Sequence, residues 1–279
     1  MRKLILLLPV VALLVFVSCQ KEIDWGTSAS SGGQLIKIRS MTGTDSSVDM
    51  FGYDAAGRLI KDSIVGVSAG TTTDQYFTIR RNGSGIITST VLKSPALLSS
   101  GIDSLHTTYY YNTATSRYTS SVFTISVGGF SVTDSSEYIY DGSGRIVTTK
   151  HWSISSFIPT FESVEERYTY SGNGLNLLKL EQWGVTNPGD PLSQIDEQDF
   201  TFDAKTNALI IKNEGILLGR QVWYSANNYT KLVMTNTADP TQNFNYDITY
   251  KYNTGGTPDS AYMTKTPGGA LTASRYFYQ

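Results

Sequence analysis

The stretch YIYDGSGRI, residues 138 to 146, contains the pattern that decides the fold. Tyr138 and Tyr140 lie on one face of an extended strand, because side chains at i and i+2 point to the same side. Asp141 starts a turn by bonding its side chain to the backbone ahead, and Gly144 supplies the positive φ at which the return strand begins. The stretch therefore predicts a β-hairpin.

The same phrase recurs along the chain, most clearly as FGYDAAGRL at residues 51 to 59. The turn residue that follows each aromatic pair stands at Asp54, Asn82, Asn112, Asp141, Ser171, Asp203, Ser225 and Asn253. Several copies place a glycine three residues later, among them Gly57, Gly144, Gly174 and Gly256. A period of about 28 residues indicates a repeated supersecondary unit, so we interpret these eight residues as structural turn positions.

The repeat predicts an all-β fold over residues 34 to 279. We expect a single large antiparallel up-and-down sheet of about 16 to 18 strands, because every unit is a hairpin joined to the next by a longer connection. A sheet of this width is curled or closed into a flattened barrel-like shape. The short turns are expected at one end and the proline-containing loops at the other.

Composition agrees with strands and excludes several classes of function. The chain has 18 tyrosines and 25 glycines, and only 16% of its residues are charged. Its formal net charge of −2 is not the basic footprint of a nucleic-acid-binding protein. Two histidines and one cysteine leave too few ligands for a zinc site of the usual types, and neither a nucleophile elbow nor a phosphate-binding loop is present. We predict no enzyme activity, no cofactor and no metal.

The first 18 residues have the features of a secretory signal peptide. Arg2 and Lys3 precede the apolar run Leu4 to Val17, which as a helix reaches about 21 Å, short of the roughly 30 Å hydrocarbon core of a bilayer. Phe16-Val17-Ser18-Cys19 resembles the lipobox of bacterial lipoproteins. The resemblance implies that Cys19 is acylated and that residues 19 to 33 form a flexible linker.

This resemblance implies a protein exported by a Gram-negative bacterium and anchored to its outer membrane. Display on the cell surface is preferred, and attachment facing the periplasm is the alternative. Phe51 to Leu59 and Tyr138 to Ile146 also resemble the YD repeats of the RHS family, which build spiralling β-sheets. The whole layout is similar to bacterial lipoproteins of unknown function with a porin-like β fold.

An outer-membrane pore is a less favoured alternative. Gln242 to Tyr252 alternates aromatic and polar residues, so one face is buried and the other is wet. Lys150 shares an apolar face with Trp152 in the predicted strand, and Glu166 shares one with Tyr168. Charges that face lipid near the midplane would cost roughly 2 to 4 kcal/mol for lysine and less for glutamate.

The sequence favours a monomeric binding scaffold held to the membrane by its acylated cysteine. Trp183, Phe157 and Phe161 flank proline-containing loops and could stack on a sugar ring, so they are the predicted ligand contacts. The partner is a glycan, an apolar ligand or a cell-surface protein. A carrier of a lipid or other apolar ligand is the alternative, and a structural surface protein is also compatible. The acidic groups at 162 to 166 and 196 to 199 resemble glycosidase carboxylates only in composition.

Overall fold

The computed structural model describes residues 33–68, 70–127, 130–155 and 159–279. The predicted signal peptide, Cys19, the linker up to residue 32 and Phe157 lie outside the described residues. Within the described ranges, two short helices occur, α1 (Pro95–Ser99) and α2 (Asn213–Leu217). None of the helices in these ranges is long and apolar enough to cross a membrane.

The described residues form one antiparallel sheet that closes on itself. Its strands are β1 (Leu35–Thr42), β2 (Asp45–Tyr53), β3 (Leu59–Ser68), β4 (Thr71–Thr72), β5 (Gln75–Arg81), β6 (Ile87–Lys93), β7 (Leu105–Asn112), β8 (Arg117–Val127), β9 (Phe130–Tyr140), β10 (Ile146–Ser155), β11 (Phe161–Tyr170), β12 (Leu177–Gly184), β13 (Ser193–Thr206), β14 (Asn227–Asn236), β15 (Phe244–Tyr252), β16 (Pro258–Thr266) and β17 (Ala270–Tyr278). Consecutive strands pair in order, and β1 pairs with both β2 and β17. The two-residue β4 pairs only with β3, so the barrel has 16 strands and the predicted fold class is confirmed.

The barrel has two unlike ends. At the turn end lie the short turns that follow the aromatic pairs, together with the first residue of β1 and the last residue of β17. At the loop end lie the connection that contains α1 and the connections 185–192 and 237–243. The proline-containing loops therefore share one end, as the sequence predicts, but the longest connection, residues 207–226, lies at the turn end.

The turn geometry accounts for the repeated Asp-x-x-Gly phrase. In the turn after β9, the Oδ1 atom of Asp141 accepts hydrogen bonds from the backbone N–H of Ser143 at 2.8 Å and of Arg145 at 3.0 Å. Gly144 donates to the Asp141 carbonyl oxygen at 3.1 Å and has a φ of 80°. Positive φ also occurs at Gly57, Gly174 and Gly256. The side chain of the turn residue is thus hydrogen-bonded to the backbone of its own turn.

The second tyrosine of the aromatic pair links neighbouring units. The hydroxyl of Tyr53 donates to the Leu35 carbonyl oxygen at 2.6 Å, and that of Tyr170 donates to the Ile146 carbonyl oxygen at 2.5 Å. Both acceptors stand at the first residue of a strand at the turn end. The repeat therefore fixes each hairpin and also ties it to the unit before it.

We expect Gly144→Val to lower the free energy of unfolding by about 1 to 2 kcal/mol, because a β-branched side chain disfavours positive φ. Urea unfolding followed by circular dichroism measures the change. Gly142→Val is the matched control, since Gly142 lies in the same turn without positive φ and with open space around its Cβ position. Equal stability of the Gly144 variant and the parent would contradict the turn assignment.

Residues 207–226 form a plug instead of a repeat unit. The sequence predicts a hairpin turn at Ser225 after the pair Val222 and Tyr224, but this prediction is wrong: Gln221–Tyr224 form a 3-10 turn, and β14 begins at Asn227. The Ser225 hydroxyl accepts from the backbone N–H of Leu177 at 3.0 Å, and Tyr224 donates to the Gly174 carbonyl oxygen at 3.1 Å. These side chains bind the barrel wall and are not free to start a new hairpin.

The plug is apolar where it meets the inner wall. Leu209, Ile216, Leu217 and Leu218 are buried in the same core as the inward aromatic rings. The ring of Trp223 packs edge-on against Phe51 on β2, with centroids 5.7 Å apart. On the other side of the plug, the hydroxyl of Tyr109 on β7 donates to the Leu217 carbonyl oxygen at 3.1 Å. The segment therefore crosses the barrel interior.

Two ion pairs fasten the plug to the wall. Arg81 on β5 binds Glu214 in α2, with Nη2 2.7 Å from Oε2. Arg220 binds Asp62 on β3, with Nη2 3.0 Å from Oδ2. Asn213 adds hydrogen bonds to the backbone at Gly144 and Ile146. Together with the apolar contacts, these bonds close the turn end of the barrel.

The outer wall of β10 to β13 carries charged side chains along its height. Lys150 lies 3.2 Å from Glu162 and 3.1 Å from Glu165, and Arg167 lies 2.5 Å from Glu165. Lys179 extends the row by an ion pair of 2.8 Å with Glu197. We call these ion pairs the outer ladder.

Glu166 on β11 is also charged, but it lies on the inner face of the wall. Glu166 alternates with the ladder residues Glu165 and Arg167 and points inward with the buried Tyr168. A register shift near the start of β10 also places Ile146 inside, although Lys150 on the same strand points outward. A β-bulge of this kind exchanges the two faces of a strand, which strict alternation cannot predict.

Candidate binding site inside the barrel

Polar and charged side chains gather on the inner face of β9 to β13, between the aromatic core and the loop end. They are Asp134, His151, Glu166, Gln182 and Asp196, which we call the lumen cluster. Each lies on the same face as a buried residue two or four positions along its strand, namely Tyr138, Thr149, Tyr168, Leu180 and Phe200. In the sheet, Gln182 stands opposite both Glu166 and Asp196. Neighbouring strands therefore bring the five side chains together.

His151 is held between carboxylates. Its Nδ1 atom lies 3.2 Å from the Ser136 hydroxyl and 3.5 Å from Oδ1 of Asp134, and its Nε2 atom lies 3.9 Å from Oε2 of Glu166. Burial alone would lower the pKa of His151, but hydrogen bonds and charge interactions with Asp134 and Glu166 raise it to about 10. The ring is therefore an imidazolium at neutral pH, with Nδ1 directed at Ser136 and Asp134 and Nε2 directed at Glu166.

Glu166 is the best-satisfied carboxylate of the cluster. Its Oε1 atom accepts from Nε2 of Gln182 at 2.8 Å, and its Oε2 atom accepts from the Tyr168 hydroxyl. Burial would raise the pKa of Glu166, but the hydrogen bonds and the charge of His151 hold it below the usual value. Glu166 therefore keeps its negative charge although it lies inside the barrel.

Asp196 lacks such partners. Its side chain is 7% exposed, and its Oδ1 atom is buried with no hydrogen-bond partner among the described residues. It stands opposite Gln182 on one side and Asn236 on the other. Burial, with a smaller contribution from the charge of Glu166, raises the pKa of Asp196 to about 6. At neutral pH an unpaired carboxylate thus faces the lumen, which is an unfavourable arrangement in a protein interior.

A second pair of inward carboxyls lies on β2 and β3, where the plug approaches. The negative charge of Asp62 affects the pKa of Asp49, and Arg220 from the plug lies beside both carboxyl groups. Burial and the charge of Asp62 raise the pKa of Asp49 to about 7, against the opposite effect of Arg220. Arg220 binds Oδ2 of Asp62 and so supplies this pair with a countercharge, although Oδ1 of Asp62 is buried without a hydrogen-bond partner, as is Oδ1 of Asp196.

We expect Asp49→Asn to raise the free energy of unfolding at pH 8 by up to about 4 kcal/mol. The pKa of Asp49 is about 7 in the folded protein and lower in the unfolded chain. Ionising Asp49 therefore destabilises the folded protein: this loss of stability is absent below pH 4, grows between pH 4 and 7, and is complete above pH 7. Urea unfolding at pH 4 and pH 8 measures it. Asp247→Asn, on the exposed face of β15, should leave the pH dependence unchanged.

The predicted ligand contacts do not share one face of the wall. Trp183 belongs to the outer face, where the guanidinium of Arg167 lies 4.3 Å from its ring centroid. Phe161 stands opposite Ser153, which in turn stands opposite the inward Asp134. The two rings therefore do not form one sugar-stacking surface, and a role for Trp183 or Phe161 alone in ligand contact stays a prediction.

The lumen cluster was not identified from the sequence. The sequence groups Glu165 with Glu166, and Asp196 with Glu197, although the two members of each pair lie on opposite faces. Register shifts at His151/Trp152 and Gln182/Trp183 alter the alternation within this part of the sheet. The even spacing of Glu166, Tyr168 and Tyr170 correctly assigns Glu166 to the aromatic face, but it does not show that this face lines the barrel interior beside Asp196.

A cavity of about 340 Å³ lies at the turn end, between the plug and the start of the first strands. Its lining includes Leu35, Leu59 and Leu209 together with the charged Arg58 and Glu214.

Within the described residues, no group of three or more His, Cys, Asp or Glu side chains has an arrangement that could hold a metal ion. The lumen cluster offers acceptors for hydrogen bonds and negative charge in a protected place.

The fold is shared with two solved structures of low sequence identity. A porin-like protein from Bacteroides uniformis is 12% identical, with a TM-score of 0.56, and the match covers 90% of this chain and 100% of that one. A porin-like protein from Bacteroides vulgatus is 15% identical, with a TM-score of 0.54, and the match covers 89% and 99%. No family model matches the chain, and no curated protein matches it.

Proposed function

We propose that this chain is a lipid-anchored barrel of the bacterial cell envelope with a non-enzymatic binding role, and that its ligand enters from the loop end. The main support for this proposal is the plug, which blocks the turn end of the barrel. Because Arg81 and Asp62 on the wall hold Glu214 and Arg220 of the plug, the turn end is closed. At the other end, the inward Val132 is 39% exposed, so solvent reaches the inner wall there.

The direction of the anchor supports the same choice of end. Gln34 pairs with the last residue, Gln279, and donates from its side chain to the Gly57 carbonyl oxygen at 2.8 Å, so it lies at the turn end. If Cys19 is acylated, the linker joins the barrel beside the plug. The loop end is then the end farther from the point of attachment, which leaves it open to a glycan or a protein of the cell surface.

The outer ladder supports a barrel that stands in water. Its charged residues are spread along the outer face of β10 to β13, where a membrane barrel exposes apolar side chains to lipid. Surface ion pairs of this kind contribute little to stability in water, but each charge would be costly at the bilayer midplane. The two porin-like structures are similar in fold, and the outer wall of this chain favours anchoring over spanning.

Replacing residues 185–192 with Asn-Gly should leave folding intact and abolish recognition of the partner, because loops on a rigid frame hold recognition residues. The measurement is binding of the purified protein to a glycan array and to cell-surface protein extracts, with unfolding by urea as the folding control. A second variant, in which residues 94–104 including α1 are shortened, is the matched loop control. Full binding by the first variant would rule out this loop as the binding site.

A carrier of a small apolar ligand is the second candidate, and the cavity at the turn end favours it. At about 340 Å³ the cavity has the size of a small-molecule pocket. Native mass spectrometry of the protein purified without detergent tests it. An extra apolar mass would support the carrier, and an empty protein would leave the loop end as the binding region.

A further inference from the structure

We propose that the lumen cluster binds the primary ammonium group of a small organic amine, with Asp196 as its principal acceptor. This inference rests on the proposed binding function, with entry from the loop end, and names the chemistry of a small ligand for the barrel interior. It is carried by the unpartnered Oδ1 atom of Asp196, which lies in a side chain only 7% exposed and directed into the barrel. A buried acceptor of this kind is costly unless a donor reaches it.

The charges around Asp196 favour a cation. Asp134, Glu166 and Asp196 contribute three carboxyl groups, and His151 is the cation bonded within the cluster. The inward cation on the strands beyond β14 is Lys265, whose Nζ atom lies 4.4 Å from the ring centroid of Phe244. The ionised cluster therefore has excess negative charge, which a bound cation would reduce.

The other carboxylates of the lumen cluster already have partners, so Asp196 is the acceptor that is left for a bound cation. Glu166 already accepts from Tyr168 and Gln182 and lies near His151. Asp134 faces the other ring nitrogen of His151 at 3.5 Å. A donor that enters from the loop end thus meets one unsatisfied oxygen, on Asp196, with the charge of Glu166 close behind it.

The same geometry favours an ammonium group over a metal ion. Calcium takes six to eight oxygen ligands, and the described residues contain no His, Cys, Asp or Glu group able to hold a metal. An ammonium group needs no closed shell of oxygen ligands: Oδ1 of Asp196 can accept from one of its three donors in a charge-assisted hydrogen bond, and the charge of Glu166 adds attraction. The apolar part of such an amine would lie beside the inward rings of the aromatic core.

The test is calorimetric titration of the purified protein with cadaverine at pH 8, with 1-pentanol as the neutral control and sodium chloride at matched ionic strength. We expect cadaverine to bind, pentanol and sodium not to bind, and Asp196→Asn to weaken cadaverine binding at least tenfold. Glu181→Gln is the matched control, because Glu181 lies on the outer face of β12 next to the inward Gln182. It should bind cadaverine as the parent does.

Loss of binding in Asp196→Asn is not expected to result from unfolding, because the substitution removes an unpaired buried charge. Its urea midpoint at pH 8 should equal or exceed that of the parent. Absence of cadaverine binding to the parent, or equal binding by Asp196→Asn and the parent, would overturn the amine site. The proposed function has its own test in the loop replacement, so the two failures are distinguishable.

Discussion

Arg220→Met should lower the free energy of unfolding at pH 7.5 by about 3 to 5 kcal/mol, because breaking one side of a buried ion pair leaves the other charge without compensation. Arg220 is the plug residue bound to Asp62, whose side chain is 3% exposed, and it also lies beside Asp49. Urea unfolding measured by circular dichroism gives the change. The loss should be smaller at pH 4, because Asp49, whose pKa is raised to about 7, is then protonated and needs no countercharge.

Two further variants separate the ion pair from a general effect of losing arginine. Arg80→Met removes an exposed arginine on the adjacent β5 and should change stability by less than about 0.5 kcal/mol. Asp62→Asn combined with Arg220→Met should recover part of the loss, because the uncompensated charge is gone. An Arg220→Met protein as stable as the parent would show that the plug is not held by this pair.

Leu217→Ala is expected to cost about 2 to 5 kcal/mol, the range for truncating a buried leucine. Leu217 is 7% exposed, lies in α2 of the plug, and its carbonyl oxygen accepts from Tyr109 across the interior. Thermal and urea unfolding measure the loss. Leu98→Ala, at a leucine that is 65% exposed in α1, is the matched control and should have little effect.

The Leu217 variant also tests whether the plug folds with the barrel. If the plug and the wall share one core, the variant should unfold in a single transition at lower urea concentration. A separate early transition, or no loss of stability at all, would contradict a plug that is part of the core.

The hairpins could be predicted because their determinants are local. Asp141 and Gly144 act within one turn, and Tyr138 and Tyr140 act within one strand, so nine consecutive residues contain the whole pattern. The up-and-down order follows from repeating that unit. Closure could not be decided from the same residues, because it depends on pairing between β1 and β17 at opposite ends of the chain.

The plug and the lumen cluster could not be predicted, for two physical reasons. Val222 and Tyr224 have the spacing of an aromatic strand pair, yet they lie in a 3-10 turn that packs against the barrel wall. The spacing alone does not show these contacts with distant strands. Register shifts in β10, β12 and β13 change which side chains face inward. Asp196 and Glu197 are neighbours in sequence, and only the three-dimensional pairing shows that one is internal and the other external.

We propose that the closed and plugged barrel stands in water and is held to the membrane only through Cys19. We test this by cell fractionation of the parent and of Cys19→Ala, the latter exported with the cleavable signal peptide of a soluble exported protein in place of residues 1 to 18. We expect the parent in the membrane fraction and the Cys19→Ala protein in the aqueous fraction, folded and monomeric without detergent. A cleaved Cys19→Ala protein that stays in the membrane as a folded barrel would contradict this proposal, because the barrel itself would then span the bilayer.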